Sequence, residues 1–191
     1  MKELILIIGA PGSGKTTDAE LIAARHSGTI THYSTGDMLR DEVASGSERG
    51  KIIDSYISQG KIVPIEIVIE TIINAIKSAP TPVVLLDGYP RSIEQMEALE
   101  SYLQHDNGVT LVSVIEVEVS DAVARERVVG RARGADDASD IFERRMQIYT
   151  EPLDAIEAFY SKKHLLHRIN GERSIEAVVD DMDRLIQSQI N

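Results

Sequence analysis

The sequence contains no cysteine and no tryptophan, and aromatic residues make up only 4% of its 191 residues. Without cysteine, the chain can form neither disulfides nor thiolate zinc sites, and it has no cysteine nucleophile. Basic residues are also scarce, because 20 lysines and arginines stand against 31 aspartates and glutamates, for a net charge of −11. This charge argues against nonspecific binding to nucleic acid or to anionic membranes. We therefore expect no nucleic-acid partner and no membrane partner.

Long hydrophobic runs are missing as well. No stretch approaches the length of a transmembrane helix, and no basic region precedes the first apolar run. Together with the lack of cysteine, these absences predict a cytoplasmic protein. The length suits one compact core, which must consist mainly of Ile, Val, Leu and Ala.

Short apolar runs alternate with helical patterns along the chain. The strand-like runs are Leu4–Ile8, Thr31–Ser34, Pro82–Asp87, Leu111–Val119 and Leu165–Ile169. The helical patterns are Lys15–His26, Met38–Ser45, Glu48–Gln59, Ile65–Lys77, Ile93–Leu103, Ala122–Val129, Ile141–Ser161 and Ile175–Gln189. Strands that alternate with helices are typical of right-handed βαβ units. The pattern predicts an α/β fold with a parallel sheet that helices cover on both faces.

A Gly-x-x-x-x-Gly-Lys-Thr motif spans residues 9–16, directly after the first strand-like run and before a helix. This is the context of a P-loop, in which backbone N–H groups converge on phosphate oxygens. Lys15 supplies a mobile positive charge for the outer phosphates, and Thr16 supplies a hydroxyl for the accompanying Mg²⁺. A glycine-rich turn without a ligand is the alternative, and the complete context disfavours it. The segment predicts a protein that binds a nucleoside triphosphate.

Asp87 ends the strand-like run at residues 82–87. An acidic residue at such a position orders water around Mg²⁺ in P-loop proteins, and the carboxyl edge of a parallel sheet is where ligands bind. A turn or helix-capping role is the alternative for Asp87 alone. Beside the P-loop, the magnesium role is the better interpretation.

Arginines are concentrated near residues 125–145, against the overall acidity of the chain. They are Arg125, Arg127, Arg131, Arg133, Arg144 and Arg145. Planar guanidinium groups bind the oxygens of a transferring phosphoryl group in a bidentate manner. We expect Arg125, and one of Arg144 and Arg145, to be surface or ion-paired charges instead.

The five histidines are scattered and show no metal-ligand spacing, so we expect them at the surface or in loops. The sequence suggests no Ser–His–Asp triad. Phosphoryl transfer between two phosphates needs no such base, because the acceptor is already an anion and alignment with charge stabilisation supplies most of the catalysis.

Taken together, the motifs resemble those of the adenylate kinase family over essentially the whole chain. They are Gly9-Ala-Pro-Gly-Ser-Gly-Lys15, Tyr33-Ser-Thr-Gly-Asp37-Met-Leu-Arg40, Gly60-Lys-Ile-Val63, Leu86-Asp-Gly-Tyr-Pro-Arg91, Gln95 and Val129-Gly-Arg131. The resemblance implies a single domain with the P-loop NTPase fold, a five-stranded parallel sheet flanked by helices. Its core would comprise 1–33, 64–129 and 137–191, with a helical insertion for the nucleoside monophosphate at 34–63 and a short lid at 130–136.

The resemblance also implies the site residues. Those for ATP would be Gly12, Ser13, Gly14, Lys15, Thr16, Thr17, Arg131 and Arg173. Those for AMP would be Thr35, Gly36, Arg40, Lys61, Ile62, Val63, Gly88, Tyr89, Pro90, Arg91, Gln95, Arg133 and Arg145. The catalytic set would be Lys15, Arg91, Arg131, Arg133 and Arg145. Thr16 and Asp87 would hold Mg²⁺, partly through water.

The implied reaction is ATP + AMP ⇌ 2 ADP in a monomer, by direct in-line transfer with Mg²⁺. Many family members have glycine before the threonine that follows the P-loop lysine, so the magnesium hydroxyl could come from Thr16 or Thr17 here. The lid is of the short type without cysteine ligands, which implies no structural zinc.

Three alternatives remain open from the sequence. A UMP/CMP-type kinase would use the same scaffold with a pyrimidine acceptor. A non-catalytic nucleotide switch would use the P-loop alone, although no guanine-reading Asn-Lys-x-Asp segment occurs. A P-loop kinase for a small metabolite would leave Arg40 and Gln95 unexplained.

Overall fold

The computed structural model describes residues 1–105, 108–131 and 139–190. The strands are β1 (Lys2–Gly9), β2 (Ile30–Ser34), β3 (Val83–Asp87), β4 (Val109–Glu118) and β5 (Leu166–Asn170). The helices are α1 (Lys15–Arg25), α2 (Thr35–Ala44), α3 (Glu48–Ile57), α4 (Ile65–Ser78), α5 (Ile93–His105), α6 (Asp121–Arg131), α7 (Ser139–Thr150), α8 (Leu153–Lys162) and α9 (Ile175–Gln189).

The five strands form one parallel sheet in the order β2-β3-β1-β4-β5. Successive side chains of a strand point to opposite faces, and β1 buries both of its faces. Leu4, Leu6 and Ile8 pack with residues of α4, α5 and α8, whereas Ile5 and Ile7 pack with α1 and α9. The predicted α/β fold, with a parallel sheet covered on both faces, is confirmed.

The carboxyl edge of the sheet collects the polar segments that the sequence singled out. The central strand β1 runs into the P-loop, and the neighbouring β3 ends at Asp87. Ser34, the last residue of β2, pairs in register with Asp87. Because parallel strands all end at the same edge, one sheet brings three separate sequence segments to one site.

Two helix predictions are wrong in detail. The single helix expected over Ile141–Ser161 is two helices, α7 and α8, with Pro152 between them. Proline has no N–H to donate and disfavours helical backbone in the residue before it, so the first helix ends there. The helix expected from Met38 begins at Thr35 instead, because the Ser34 side chain caps it by accepting the Asp37 N–H at 3.4 Å.

The strand predictions differ from the structure only by a residue or two at their ends. The expected insertion at 34–63 contains α2 and α3, which belong to one continuous apolar core with β1 and α4. Of the expected lid at 130–136, only residues 130 and 131 lie within the described residues. Within the described ranges, no helix is long and apolar enough to cross a membrane.

Candidate active site

The P-loop is a tight turn between β1 and α1. Gly12 and Gly14 have φ angles of +83° and +92°, a conformation that side-chain-bearing residues rarely adopt. The Ser13 N–H donates to the Ala10 carbonyl at 3.0 Å, and α1 begins at Lys15. The turn therefore directs the N-terminus of α1, with its unpaired N–H groups and partial positive charge, toward the loop. This arrangement suits the binding of phosphate groups.

One cavity extends from the P-loop toward α9. Its lining residues are Gly12, Ser13, Gly14, Lys15, Thr16, Thr17, Asp18, Arg127, Gly171, Arg173, Ile175 and Val178. These include every residue predicted for ATP except Arg131. Arg131 is the last residue of α6, and its side chain lies outside what the structure describes.

A second cavity is lined by residues of α2, of the segment after α3, of the end of β3 and of α7. The predicted AMP residues that line it are Thr35, Gly36, Arg40, Lys61, Ile62, Val63, Gly88, Pro90, Arg91, Gln95 and Arg145. Tyr89 does not line the cavity, because its ring is fully buried and its hydroxyl donates to the Gln95 carbonyl. Arg133 lies outside the described residues.

The two cavities share Lys15 and Thr16 as lining residues. A triphosphate seated on the P-loop would therefore end where the second cavity begins. Two ligands bound in these cavities would meet at the lysine that suits the outer phosphates of the first. This is the geometry that a direct transfer between two bound molecules requires.

Asp87 lies at this junction and is only 2% exposed. One carboxylate oxygen accepts a hydrogen bond from the Thr16 hydroxyl at 3.1 Å, and the other lies 2.5 Å from His32 Nε2. A hydroxyl and a carboxylate beside a phosphate site are oxygen donors of the kind that suit Mg²⁺. Thr17, the alternative hydroxyl, is exposed. The residues present thus fit Mg²⁺ held mainly through substrate phosphates and water.

No cluster of three or more His, Cys, Asp or Glu side chains that could hold a metal occurs in the described part of the chain. A site with one or two protein ligands and several waters is typical of Mg²⁺. The prediction that the protein has no structural zinc remains a prediction.

The second cavity is lined by a buried hydroxyl and a buried amide that could bind a ligand. Thr35 is 2% exposed, and its hydroxyl has no hydrogen-bond partner among the described residues. Buried polar groups in folded proteins are nearly always paired, so an unpaired one that lines a cavity indicates a ligand. Gln95 is also buried, at 3% exposure, and its side-chain oxygen accepts the Arg91 backbone N–H at 2.8 Å. An amide that both donates and accepts suits the edge of a nucleobase.

The arginines of this cavity are held in place by neighbours. Arg91 donates from Nε to the Gly88 carbonyl at 2.8 Å, which holds its guanidinium at the carboxyl edge of β3. Arg40 forms an ion pair with Asp37, one turn earlier in α2. Both side chains line the cavity, so two fixed positive charges face the space that an anionic ligand would occupy.

The structure separates the arginines near residues 125–145 by role. Arg125 forms an ion pair with Glu143, as the sequence predicted for it. Arg144 donates to the Gln59 carbonyl, whereas Arg145 lines the second cavity. This contrast favours Arg145 as the residue of the pair that contacts ligand. Arg173 lines the P-loop cavity and forms an ion pair with Asp181 at 2.5 Å.

The sequence grouped Arg127 with the arginines expected to bind phosphoryl oxygens, and it indicated no site role for Asp18. Arg127 donates to the carbonyls of Ser13 and Gly171, at 3.1 and 2.8 Å, and so joins the P-loop to the end of β5. Burial raises the pKa of Asp18 to about 6, and the Arg127 guanidinium opposes this shift. The spacing of Arg127 and Arg131, four residues apart on one helix, was the signal available in the sequence.

The expectation that all histidines lie at the surface or in loops is wrong for His32. This residue lies within β2, and its side chain is only 8% exposed because it packs beside Asp87. Its role depends on the register between β2 and β3, which no spacing in the sequence indicates.

Comparisons with known proteins agree with this geometry. A family model described as adenylate kinase matches residues 7–165. The chain is 64% identical to an adenylate kinase of Helicobacter hepaticus and 61% identical to one of Wolinella succinogenes, each over 100% of both chains. It is 62% identical to an adenylate kinase of Campylobacter lari, over 97% of both chains.

Proposed function

The chain belongs to the adenylate kinase family, and we infer that it is an enzyme that catalyses the reversible transfer ATP + AMP ⇌ 2 ADP. The observation that carries this inference is the pair of cavities that share Lys15 and Thr16. One cavity has a P-loop for the triphosphate, and the other has two arginines for an anionic acceptor. Transfer from the triphosphate in one cavity to the acceptor in the other needs only a short movement of the phosphoryl group.

Adenine is the acceptor base that the second cavity suits best. In this proposal, the Thr35 hydroxyl, which has no partner among the described residues, and the buried Gln95 amide form hydrogen bonds to the edge of the base. Leu39, Val63 and Val68 supply the apolar wall on which the ring could pack. A pyrimidine acceptor is smaller and would fill less of this wall.

The charges around the junction supply the catalysis in this proposal. Lys15, Arg91 and Arg145 line the second cavity, and Arg131 and Arg133 are proposed to complete the set from the lid side. Fixed positive charges that converge where negative charge develops are the largest single source of rate enhancement in such reactions. Residues 34–63 and 130–136 are proposed to close over the substrates and exclude water, since an open site would hydrolyse ATP.

Thr16 and Asp87 are the residues that would hold Mg²⁺, partly through water. Mg²⁺ held there would supply positive charge that neutralises part of the negative charge of the outer phosphates. His32 holds one Asp87 oxygen, and Thr16 contacts the other, so the carboxylate is fixed in orientation before any ligand arrives.

We also propose that the enzyme is a cytoplasmic monomer whose partners are ATP, AMP and ADP. The net charge of −11 supports the absence of nucleic-acid and membrane partners.

A coupled ADP-formation assay with Mg·ATP tests the proposal directly. AMP, UMP, CMP, GMP and no acceptor are compared in parallel, and we expect fast ADP formation with AMP alone. A higher specificity constant for UMP or CMP would overturn the acceptor assignment but keep the mechanism. Acceptor-independent hydrolysis, or ATP binding without turnover, would indicate a switch or binding protein instead.

Replacing the threonines of the P-loop separately decides which hydroxyl serves Mg²⁺. We expect Thr16→Val to raise the Mg²⁺ concentration needed for tight ATP binding by about tenfold, since changes around a bound metal typically cost roughly 10- to 100-fold. Thr17→Val should have a smaller effect, because Thr17 is exposed and Thr16 contacts Asp87. Calorimetry of ATP binding over a range of Mg²⁺ concentrations measures both. A larger effect of Thr17→Val would assign the role to Thr17.

A further inference from the structure

We propose that Glu116 is a positioning residue, which acts through the Tyr149 hydroxyl to fix the helix that carries Arg145. Glu116 lies in β4, beside Ile8 of β1, and is only 2% exposed. The Tyr149 hydroxyl donates to Glu116 Oε1 at 3.1 Å. Tyr149 lies one helical turn after Arg145 in α7, and both line the second cavity. The inference rests on the proposed function in so far as Arg145 contacts substrate.

The second oxygen of Glu116 is engaged from the other side. Arg168, its register neighbour in β5, donates from Nε to Oε2 at 3.2 Å. The same guanidinium donates to Glu157 of α8 at 2.6 Å and lies 3.5 Å from Glu118. We call these five residues the Glu116 cluster. It joins α7 and α8, the two helices on either side of Pro152, to the edge of the sheet.

Apolar packing alone does not account for a carboxylate at this place. Phe142 and Met146 of α7 already pack on Ala10, Ala124 and Val128, and the Tyr149 ring packs against these apolar residues. A buried charge costs free energy unless it is paired, so an apolar residue at position 116 would serve packing better. The carboxylate fixes the orientation of α7 relative to the sheet, because its hydrogen bond to Tyr149 has a defined geometry and so sets the rotation of α7 about its axis. That rotation determines where Arg145 enters the cavity.

The charge of the Glu116 cluster changes near neutral pH. Burial, with the nearby Glu157 carboxylate, raises the pKa of Glu116 to about 7, against the Tyr149 hydrogen bond and the Arg168 charge. Burial and the Glu116 carboxylate raise the pKa of Tyr149, so this hydroxyl stays a donor. The groups that face Glu116 are thus Tyr149 from α7, Arg168 from β5, Glu157 from α8 and Glu118 from its own strand. The ionised carboxylate accepts from both donors, one at each oxygen, and the protonated carboxyl keeps one oxygen that can only accept.

The kinetic test compares Tyr149→Phe, Glu116→Leu, the double variant and Tyr160→Phe, with AMP as acceptor. Phenylalanine at 149 keeps the packing and removes only the hydroxyl. We expect Tyr149→Phe to lower kcat about tenfold, the order expected for a hydrogen bond to a charged group, with little change in KM for Mg·ATP. Glu116→Leu should lower kcat by the same factor. The double variant should have no lower kcat than either single variant, because both substitutions remove the same hydrogen bond between Tyr149 and Glu116. Tyr160, a fully buried tyrosine of α8 that does not line the cavity, is the control, and its variant should match wild type.

Glu116→Gln is the rescuing variant. Its amide oxygen still accepts from Tyr149, so we expect kcat close to that of wild type at about pH 8, above the pKa of the carboxyl. Because glutamine does not titrate, the difference between the pH profiles of wild type and of Glu116→Gln isolates this one group. Glutamine and the protonated carboxyl each keep one oxygen that accepts from Tyr149, so we expect the two kcat profiles to run in parallel as pH drops through about 7.

Protein stability gives a readout that does not depend on activity. A pKa raised on folding stabilises the protein below the unfolded value of 4.5, and this contribution is lost as pH rises through about 7. The wild-type Tm should therefore decrease across this pH window more steeply than that of Glu116→Gln.

Two results would overturn the proposal. One is a Tyr149→Phe enzyme with wild-type kcat, and the other is additive effects of Tyr149→Phe and Glu116→Leu. If Glu116→Leu does not fold, Tyr149→Phe and Glu116→Gln decide the question. If the wild-type protein transfers phosphate to no acceptor, the proposed function fails on its own. Calorimetry of AMP binding then tests the positioning role of Glu116. Weaker AMP binding by Tyr149→Phe than by wild type supports this role, and equal binding contradicts it.

Discussion

Replacing Arg91 by alanine should lower turnover with ATP and AMP about 100- to 1000-fold, the range found when one preorganised charge-stabilising donor is removed. The guanidinium is held by the Gly88 carbonyl at 2.8 Å and lines the cavity next to Lys15. It is therefore already in place before the acceptor arrives. Steady-state kinetics with purified protein measures the effect.

The fold of this variant should be intact, because Arg91 is partly exposed and packs in no apolar cluster of the described residues. Arg184→Ala is the matched control. Arg184 lies on α9 with a side chain that is 74% exposed and pairs only with Asp181 among the described residues. It should retain full activity. A near-normal rate in a folded Arg91→Ala protein would refute the role given to Arg91.

Replacing Gly12 by alanine should weaken ATP binding by roughly 5- to 100-fold, which corresponds to about 1–3 kcal/mol of backbone strain. The φ angle of Gly12 is +83°, and an added Cβ would overlap the Ala124 carbonyl oxygen. That oxygen belongs to the backbone of α6 and cannot move as a side-chain end could. The P-loop must therefore shift, and its N–H groups lose their convergence on the phosphates. Calorimetry with ATP in the presence of Mg²⁺ measures the loss.

Gly28→Ala provides a control of the same chemistry. Nothing among the described residues lies within 4 Å of an added Cβ at Gly28, and its φ is outside the left-handed region. ATP affinity and turnover should both be unchanged. Tight ATP binding by Gly12→Ala would show that the P-loop adopts a different conformation when ATP is bound.

Several features could be predicted from the sequence because they depend on residues close together in the chain. The P-loop is contiguous, and its glycines, lysine and threonine need only the preceding strand and the following helix to take effect. The division of Ile141–Ser161 into α7 and α8 is also local, and Pro152 signals it. The helical prediction ran through that proline because the apolar spacing continues on both sides of it.

Other features require contacts between distant segments. Nothing near His32 in the sequence indicates that it lies 2.5 Å from Asp87, because their proximity depends on the register of β2 against β3. Without the family resemblance, the sequence would predict Gln95 to be an exposed helix residue. In the structure it is buried and accepts a hydrogen bond from the Arg91 backbone N–H. Arg127 reaches Ser13 across 114 positions of the chain.

By itself, the sequence determined the fold class, the phosphate-binding loop and the family, since alternating apolar periodicity and short contiguous motifs carry that information. The tertiary structure alone decided that Lys15 and Thr16 join two cavities, that Arg145 rather than Arg144 lines one of them, and that Glu116 holds Tyr149. The physical reason is the parallel sheet. It brings the ends of strands that are far apart in the chain to one edge, and the register and packing that set these distances arise only when the whole core assembles.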